Sequence, residues 1–387
     1  MQFPDVRYVA ITSDEHYQPS MTCGPWSRYP LIRGDAERSA AVVNQWCADH
    51  YSEGIVRISC ADTLDTPEPQ PDRLLWLKKY FEEHLAYCKG YLYIQGQHER
   101  VIKCPNSTWM DVITNSNKVH HINKKRFSIG DQLFAGIDNT NPVDLFSFVE
   151  DLDEQSRYNL ITHQLWYPWL PASKVYPSLK QLPPQIRRVF SGDYHVVKND
   201  ILLTDHGQQL EAYSVGPFCM QSWGEEPVNR FLVLDLKLDQ VLNVPLPSRQ
   251  VFRGTVNTEE DLEVVLTNLS KLPKYTDPTS VDMALVKISY NSKVPYVQKR
   301  LEEVAEGKFH FFIEPFVQDE QLIDMRKIYG RASATESVKT YLDSHSITAA
   351  GTLIRHIIDA TMEANNPKEL EMKLEELKTQ YAGSIKP

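Results

Sequence analysis

The chain has 387 residues, enough for two or three domains around a large buried core. Its 7 Trp, 19 Tyr and 14 Phe rule out disorder over most of the length, and there is no run of about 18 uncharged apolar residues to span a membrane. The net charge of −10, from 41 basic against 51 acidic residues, argues against coating nucleic acid through bulk positive charge and leaves room for local, metal-assisted contact with phosphates.

The N-terminus, MQFPDVRYVAITSDEH, has neither a basic n-region nor a cleavable apolar stretch, so no secretory signal is expected. VRYVAIT reads as a strand running into Ser13-Asp14, and AERSAAVVNQWCADHY has helical spacing. GIVRIS is a strand ending at Cys60-Ala61-Asp62, followed by DRLLWLKKYFEEHLAYC, a strongly amphipathic helix. YLYIQ is a strand that runs into Gly96-Gln97-His98-Glu99. This alternation of strand and helix predicts a layered α/β fold. Further on, RFSIG, QLFAGI, NLITH, RVFSG and ILLTD are short strands bounded by turn residues.

The stretch VLNVPLPSRQ carries Pro245 and Pro247 and marks a domain boundary, so a first domain is expected over 1–245. A small module follows over 246–332. TEEDLEVVLTNLSKL is a helix with Thr258 as N-cap and acidic residues in its first turn, MALVKISY a strand, VQKRLEEVAEG a helix and FHFFIEPF a strand. Residues 333–387 read as helical. Ile347, Ala350, Ile354, Ile357 and Ile358 share one face, and Leu370, Leu374, Leu377 and Tyr381 form a seam after Asn365-Asn366-Pro367. The seam either packs on its own domain or docks a partner helix.

The six cysteines, Cys23, Cys47, Cys60, Cys88, Cys104 and Cys219, show no C-x-x-C pair and no zinc-like or disulfide-framework spacing. Unpaired, mostly buried thiols in a reduced compartment are expected, which points to the cytoplasm.

The positions of the polar residues carry the chemistry. One strand after another ends in a side chain able to bind a metal: Asp14-x-His16, then Asp62 followed by Asp65, then Gln97 and His98, then His163, then Asp193-x-His195. In a layered α/β sheet the C-terminal strand ends collect along one edge. A single D-x-H is usually structural, but this ordered series, each member just beyond an apolar strand, is hard to reach by chance. Carboxylates and imidazoles without cysteine suit Mn²⁺, Fe²⁺ or Zn²⁺. One shared carboxylate would let two ions sit about 3.5–4 Å apart, polarise a phosphate oxygen and acidify a water for in-line attack.

These motifs resemble those of the calcineurin-like metallophosphoesterase superfamily, D-x-H, G-D-x-x-D, G-N-H-[DE], a lone H, and G-H-x-H. Here they read Asp14-Glu15-His16, Ala61-Asp62-Thr63-Leu64-Asp65, Gly96-Gln97-His98-Glu99, Thr162-His163-Gln164 and Gly192-Asp193-Tyr194-His195. Within the superfamily the chain is most similar to SbcD-type nuclease subunits of double-strand-break repair complexes and their phage counterparts. ADTLDTPEP is similar to a G-D-L-F-D-x-x-x-P stretch, AYSVGPFCMQSWGEE to a segment containing G-S and F-G-E, and the small module stands where that family has a capping domain. The similarity runs over roughly residues 5 to 315.

The resemblance implies two central mixed sheets flanked by helices, a small α/β capping domain and a helical tail. It implies a metal-dependent DNA exonuclease and endonuclease with two divalent ions, Mn²⁺ or alternatively Mg²⁺. Asp14, His16 and His195 would hold the first ion, Asp62 would bridge, Gln97, His163 and Asp193 would hold the second, and His98 would assist the leaving oxygen. It also implies DNA and an SbcC-like coiled-coil ATPase as partners, a homodimer formed through one of the first two helices, no membrane, and the cytoplasm, that of a host for a phage protein. No G-x-x-x-x-G-K-[ST] loop occurs, so the ATPase must be a separate chain.

Three positions depart from the pattern. Gln97 replaces Asn, Asp193 replaces His and Ala61 replaces Gly. The first two fall on the second ion, where Asp favours a harder metal such as Mn²⁺ or Mg²⁺. A degenerate, structural DNA-binding platform and a phosphodiesterase for small substrates are therefore the alternatives. Lys124-Lys125-Arg126 and Arg187-Arg188 could touch a DNA backbone or simply be solvated surface. His120-His121 lies outside the motif order and reads as non-ligand.

Overall fold

The computed structural model describes residues 1–17, 35–64, 71–99, 117–170, 176–222, 225–277 and 282–316. The chain divides into a unit Met1–Phe316 and a unit Val317–Pro387. The helices expected over 333–387, Asp65, Cys23 and Cys104 lie outside the described residues.

Three sheets carry the first unit. One sheet is built on parallel strands β2 (Tyr8–Thr12), β3 (Ile55–Ser59), β4 (Gly90–Tyr93) and β5 (Val119–His121). Antiparallel β12 (Arg230–Asp235) pairs with β2, and β13 (Gln240–Pro245) closes that edge. The second sheet runs in the order β1 (Gln2–Phe3), β6 (Lys125–Ile129), β7 (Gln132–Gly136), β8 (Tyr158–His163), β9 (Ile186–Gly192), β11 (Gln209–Ser214), β10 (Lys198–Leu203). Its central strands β7, β8, β9 and β11 are parallel.

The two-residue period of a strand sets the layers. On β2, β3 and β4, Val9, Ile11, Val56, Ile58 and Leu92 face the second sheet and share a core with Phe127, Ile129, Phe134, Ile161 and Phe190. The opposite side chains, Tyr8, Ala10, Ile55, Tyr91 and Tyr93, pack under α1 (Asp35–Asp49) and α2 (Pro71–His84). α1 contributes Ala36, Ala40, Val43 and Cys47, one face of a helix at the expected spacing. On the far side, Ala135, Leu160, Val189 and Ala212 pack against Leu145, Phe148 and Val149 of α3 (Pro142–Glu150). Helix, sheet, sheet, helix is the layered α/β architecture that the strand–helix alternation predicts. Strands buried on both faces read as unbroken apolar runs, which is why YVAIT and GYLY are legible as strands.

The third sheet is parallel throughout, with β15 (Ala284–Asn291) between β14 (Val251–Val256) and β16 (Phe309–Phe316). Helices α4 (Glu259–Ser270) and α5 (Val297–Ala305) complete it, with Val256, Leu262, Leu266, Val286, Leu301 and Phe309 in a core of its own. The sequence predicts α-β-α-β here, and the structure corrects this to β-α-β-α-β. In VFRGTV, Arg253 and Gly254 interrupt the apolar pattern, and pairing with β15 makes the segment a strand. Thr258 does cap α4. Its hydroxyl accepts from the Asp261 amide at 3.2 Å, and the Asp261 carboxylate accepts from the Thr258 amide at 3.1 Å.

Cys47, Cys60, Cys88 and Cys219 are free and buried. Among the described residues no helix is long and apolar enough to cross a membrane.

Arg249, just ahead of β14, joins the third sheet to the sandwich. Its guanidinium is buried and donates to both carboxylate oxygens of Asp35 in the first turn of α1, at 2.6 and 2.9 Å, and to the Met283 carbonyl at 3.1 Å. Arg38 also reaches Asp35. The Arg249→Ala variant is therefore expected to lose about 2 kcal/mol in urea denaturation, less than an isolated buried pair would because Arg38 remains. An unchanged denaturation midpoint would refute this anchoring role.

Candidate metal centre

The loops that follow β2 and β3 are tied together through their backbones. The Asp14 amide donates to the Ala61 carbonyl at 3.0 Å, and the His16 amide to the Asp62 carbonyl at 3.0 Å. Asp14, His16, Ala61, Asp62 and Asp193 all have positive φ, between 43° and 79°. Left-handed backbone is rare outside glycine and clusters where a fold holds functional side chains. At Ala61, the position where the resembling family has Gly, φ is 79°, so the turn survives the added Cβ. Two glycines serve by being small. A Cβ on Gly96 would lie 1.9 Å from an Asp62 oxygen, and one on Gly192 would lie 2.1 Å from the Ser13 hydroxyl and 2.5 Å from His163 Nδ1.

These turns bring Asp14, His16 and His195 into one cluster and Asp14, Asp62 and His163 into another, each with its ligand atoms within 4.8 Å of one another. Asp14 is common to both clusters. The resemblance assigns the bridging place to Asp62, which here lies 3.0 Å from His163 Nε2. His195 Nε2 is 3.3 Å from Asp14. The His16 ring stands edge-on to those of His98 and His195, with centroids 5.5 Å apart in both cases. Asp193 and Gln97 sit beside the clusters. The Gln97 amide donates to Asp193 Oδ1 at 2.7 Å, and that oxygen is 4.0 Å from His163 Nε2. His98 stands at the rim, with its side chain 41% exposed and Nε2 3.9 Å from Asp62.

The field of the site is strongly negative. Burial disfavours the Asp14 carboxylate, but His195, His163 and His16 outweigh it and hold its pKa below the usual carboxylate range. Burial likewise opposes the charge of Asp62, and His163 overcomes it. Burial also opposes charge on His163, yet Asp62, Asp14 and Asp193 raise its pKa to about 10. His195 is raised well above the ordinary imidazole value by Asp14 and Glu225, again against burial. Buried carboxylates that draw protons onto neighbouring imidazoles form a set that fits a hard or borderline divalent cation, with oxygen and imidazole donors and no thiolate.

Several residues outside the predicted set shape the site. Glu225 accepts from His195 Nδ1 at 2.9 Å, which leaves Nε2 facing Asp14. The Ser13 hydroxyl donates to Asp14 at 2.6 Å. The Cys60 carbonyl lies 2.6 Å from His163 Nδ1 and turns its Nε2 toward Asp62. Glu99 is buried and accepts from the amides of Thr63 and Gly96 at 2.8 and 3.1 Å, and burial followed by Asp62 raises its pKa to about 8. Glu99 carries a sequence signal as the last residue of its motif, and Glu225 as the acidic residue of the segment that resembles F-G-E. The Cys60–His163 contact crosses a long stretch of chain, and the Ser13–Asp14 contact joins neighbours outside any motif. Of the remaining candidates, His121 bonds Asp138 at 2.9 Å, Arg126 bonds Asp151, and Arg187 and Arg188 share Asp239.

No protein-family model matches the chain, and no curated protein matches it. Similar solved structures include the protein TT1561 of Thermus thermophilus, with 12% identity and a TM-score of 0.33 over 62% of this chain and 99% of that one. Another is described as a novel archaeal phosphodiesterase, with 13% identity and a TM-score of 0.33 over the same shares.

Two outcomes are expected. Gly192→Ala forces a Cβ against the Cys60 carbonyl, which cannot move freely, so the variant should lose about 1–3 kcal/mol of stability together with metal binding. Neighbouring carboxylates raise the pKa of His163, to about 10, and of His195, so ligating a metal must displace protons from them. Titrating Mn²⁺ into weakly buffered protein should then release about one to two protons per chain, with affinity rising as pH increases. Binding without proton release, at a pH-independent affinity, would exclude both imidazoles as ligands.

Proposed function

We propose that the chain is a divalent-metal-dependent phosphodiesterase acting on DNA, the nuclease subunit of an SbcCD-like repair and recombination complex. The observation that carries this reading is the pair of buried Asp/His clusters joined through Asp14. Asp14, His16 and His195 would hold one ion, and Asp62 and His163, with Gln97 and Asp193 beside them, a second. When bound, such ions neutralise phosphate charge and polarise the phosphorus–oxygen bonds.

The protein's own groups divide the remaining work. His98, at the solvent edge of the site, would donate a proton or hydrogen bond to the leaving oxygen. Its amide lies 3.4 Å from Asp62 Oδ1, so the same carboxylate positions its backbone and faces its ring. Glu225, Ser13 and the Cys60 carbonyl hold the donor set in place before substrate arrives. Asp193 adds negative charge on the second side, which favours Mn²⁺ or Mg²⁺ over softer ions. In this reading a separate coiled-coil ATPase docks on the helices expected over 333–387, and two copies pair through α1 or α2.

One observation favours a small phosphodiester as substrate instead. Three of the arginines that could touch a DNA backbone or be solvated surface are engaged internally, Arg126 with Asp151 and Arg187 and Arg188 with Asp239. Cleavage of end-labelled linear DNA and of small nucleotide phosphodiesters, with Mn²⁺ and with chelator, separates the two. The nuclease reading expects Mn²⁺-dependent DNA cleavage, lowered by about 10²-fold or more in His98→Ala and in Asp62→Ala. Cleavage of small phosphodiesters alone would move the assignment to the second reading. If the wild type cleaves neither, with or without an ATPase partner, the enzymatic reading fails.

A further inference from the structure

The third sheet reaches the segment behind His195 through Arg253. Arg253, on β14, donates from its guanidinium to the backbone carbonyl of Glu225 and, at 3.3 Å, to the carboxylate of Glu226. Glu225 is the residue that orients His195. One carboxylate oxygen accepts from His195 Nδ1 at 2.9 Å, and the other from the Gln221 amide at 2.5 Å. The Glu225 amide donates to the Ser222 carbonyl at 3.2 Å. Glu225 is thus held at its amide, its carbonyl and both carboxylate oxygens, and the carbonyl is held from another sheet. β14 is a firm base for that contact, because it pairs with β15 over its whole length from Val251 to Val256.

We infer that Arg253 is a positioning residue for the metal centre: by fixing the Glu225 backbone it sets the orientation in which His195 presents Nε2 beside Asp14. The inference rests on the metal-centre reading above. A carboxylate behind a ligating histidine fixes its tautomer and ring angle, and its loss costs metal affinity. A partly exposed ion pair such as Arg253–Glu226 contributes little to stability by itself. The two effects can therefore be measured apart.

The test is Mn²⁺ affinity by calorimetry on the full chain, with thermal midpoints recorded in parallel. Glu225→Gln should weaken Mn²⁺ binding about 10- to 100-fold, and Arg253→Ala roughly 3- to 10-fold with little change in midpoint. Because Arg253 acts through Glu225, the double variant should bind about as weakly as Glu225→Gln alone. Glu226→Ala, which removes only the side-chain ion pair, should bind as the wild type does. Should Arg253→Ala fail to fold, Arg253→Met keeps the aliphatic stem and takes its place. Wild-type affinity in the Arg253 variant, or losses that add in the double variant, would overturn the inference. Absence of Mn²⁺ binding by the wild type would instead overturn the metal-centre reading.

Discussion

Two carboxylates buried where the central sheets meet, Asp14 and Asp62, are the constraint on which the rest of the structure depends. An ionised carboxylate taken out of water costs several kcal/mol unless charge and hydrogen bonds are returned to it. Here the return comes from every side. Asp14 accepts from Ser13 at 2.6 Å and from the Asp193 amide at 3.2 Å, and faces His195 at 3.3 Å. Asp62 faces His163 at 3.0 Å. These carboxylates raise the pKa of both imidazoles, and a divalent cation would answer the same field. The negative charge is thus both the main electrostatic burden of the fold and the reason a metal would bind.

Holding that charge in place requires backbone that is unfavourable elsewhere. The left-handed turns at Asp14, His16, Ala61, Asp62 and Asp193 persist because the strands leading into them are locked in the apolar layer between the sheets. Val9, Ile11, Val56, Ile58, Ile161 and Phe190 fix the heights at which β2, β3, β8 and β9 end. The absence of side chains at Gly96 and Gly192 then lets the loops close to contact distance. The core acts on the chemistry indirectly, through the positions where the strands stop.

The two departures on the second side of the site are structurally coupled. The longer Gln97 arm reaches Asp193, and the pair meets at 2.7 Å where the family pattern would place Asn and His. Asp193 also contributes to the raised pKa of His163. An anionic oxygen stands where the resembling pattern has a neutral nitrogen, so a cation on the second side would meet a more negative, harder donor set.

The sequence by itself determined the layered α/β class, the cap at Thr258 and the candidate ligands, because each rests on short-range pattern. Apolar runs of strand length mark β2 to β4, a hydroxyl three residues before a carboxylate marks a helix start, and polar residues just past strand ends mark one edge of a sheet. VFRGTV is hidden because its strand character comes from pairing with β15 and not from its own composition. Helix α3 escapes the pattern although Asn141 and Pro142 carry start signals, since its 9 residues offer little periodicity. Only tertiary structure decided that Asp14 belongs to both clusters, that Gln97 and Asp193 engage each other, and that Glu225 and Arg253 stand behind His195. Those contacts join residues far apart in the chain, and no local pattern encodes a distance set by the packing of separate sheets.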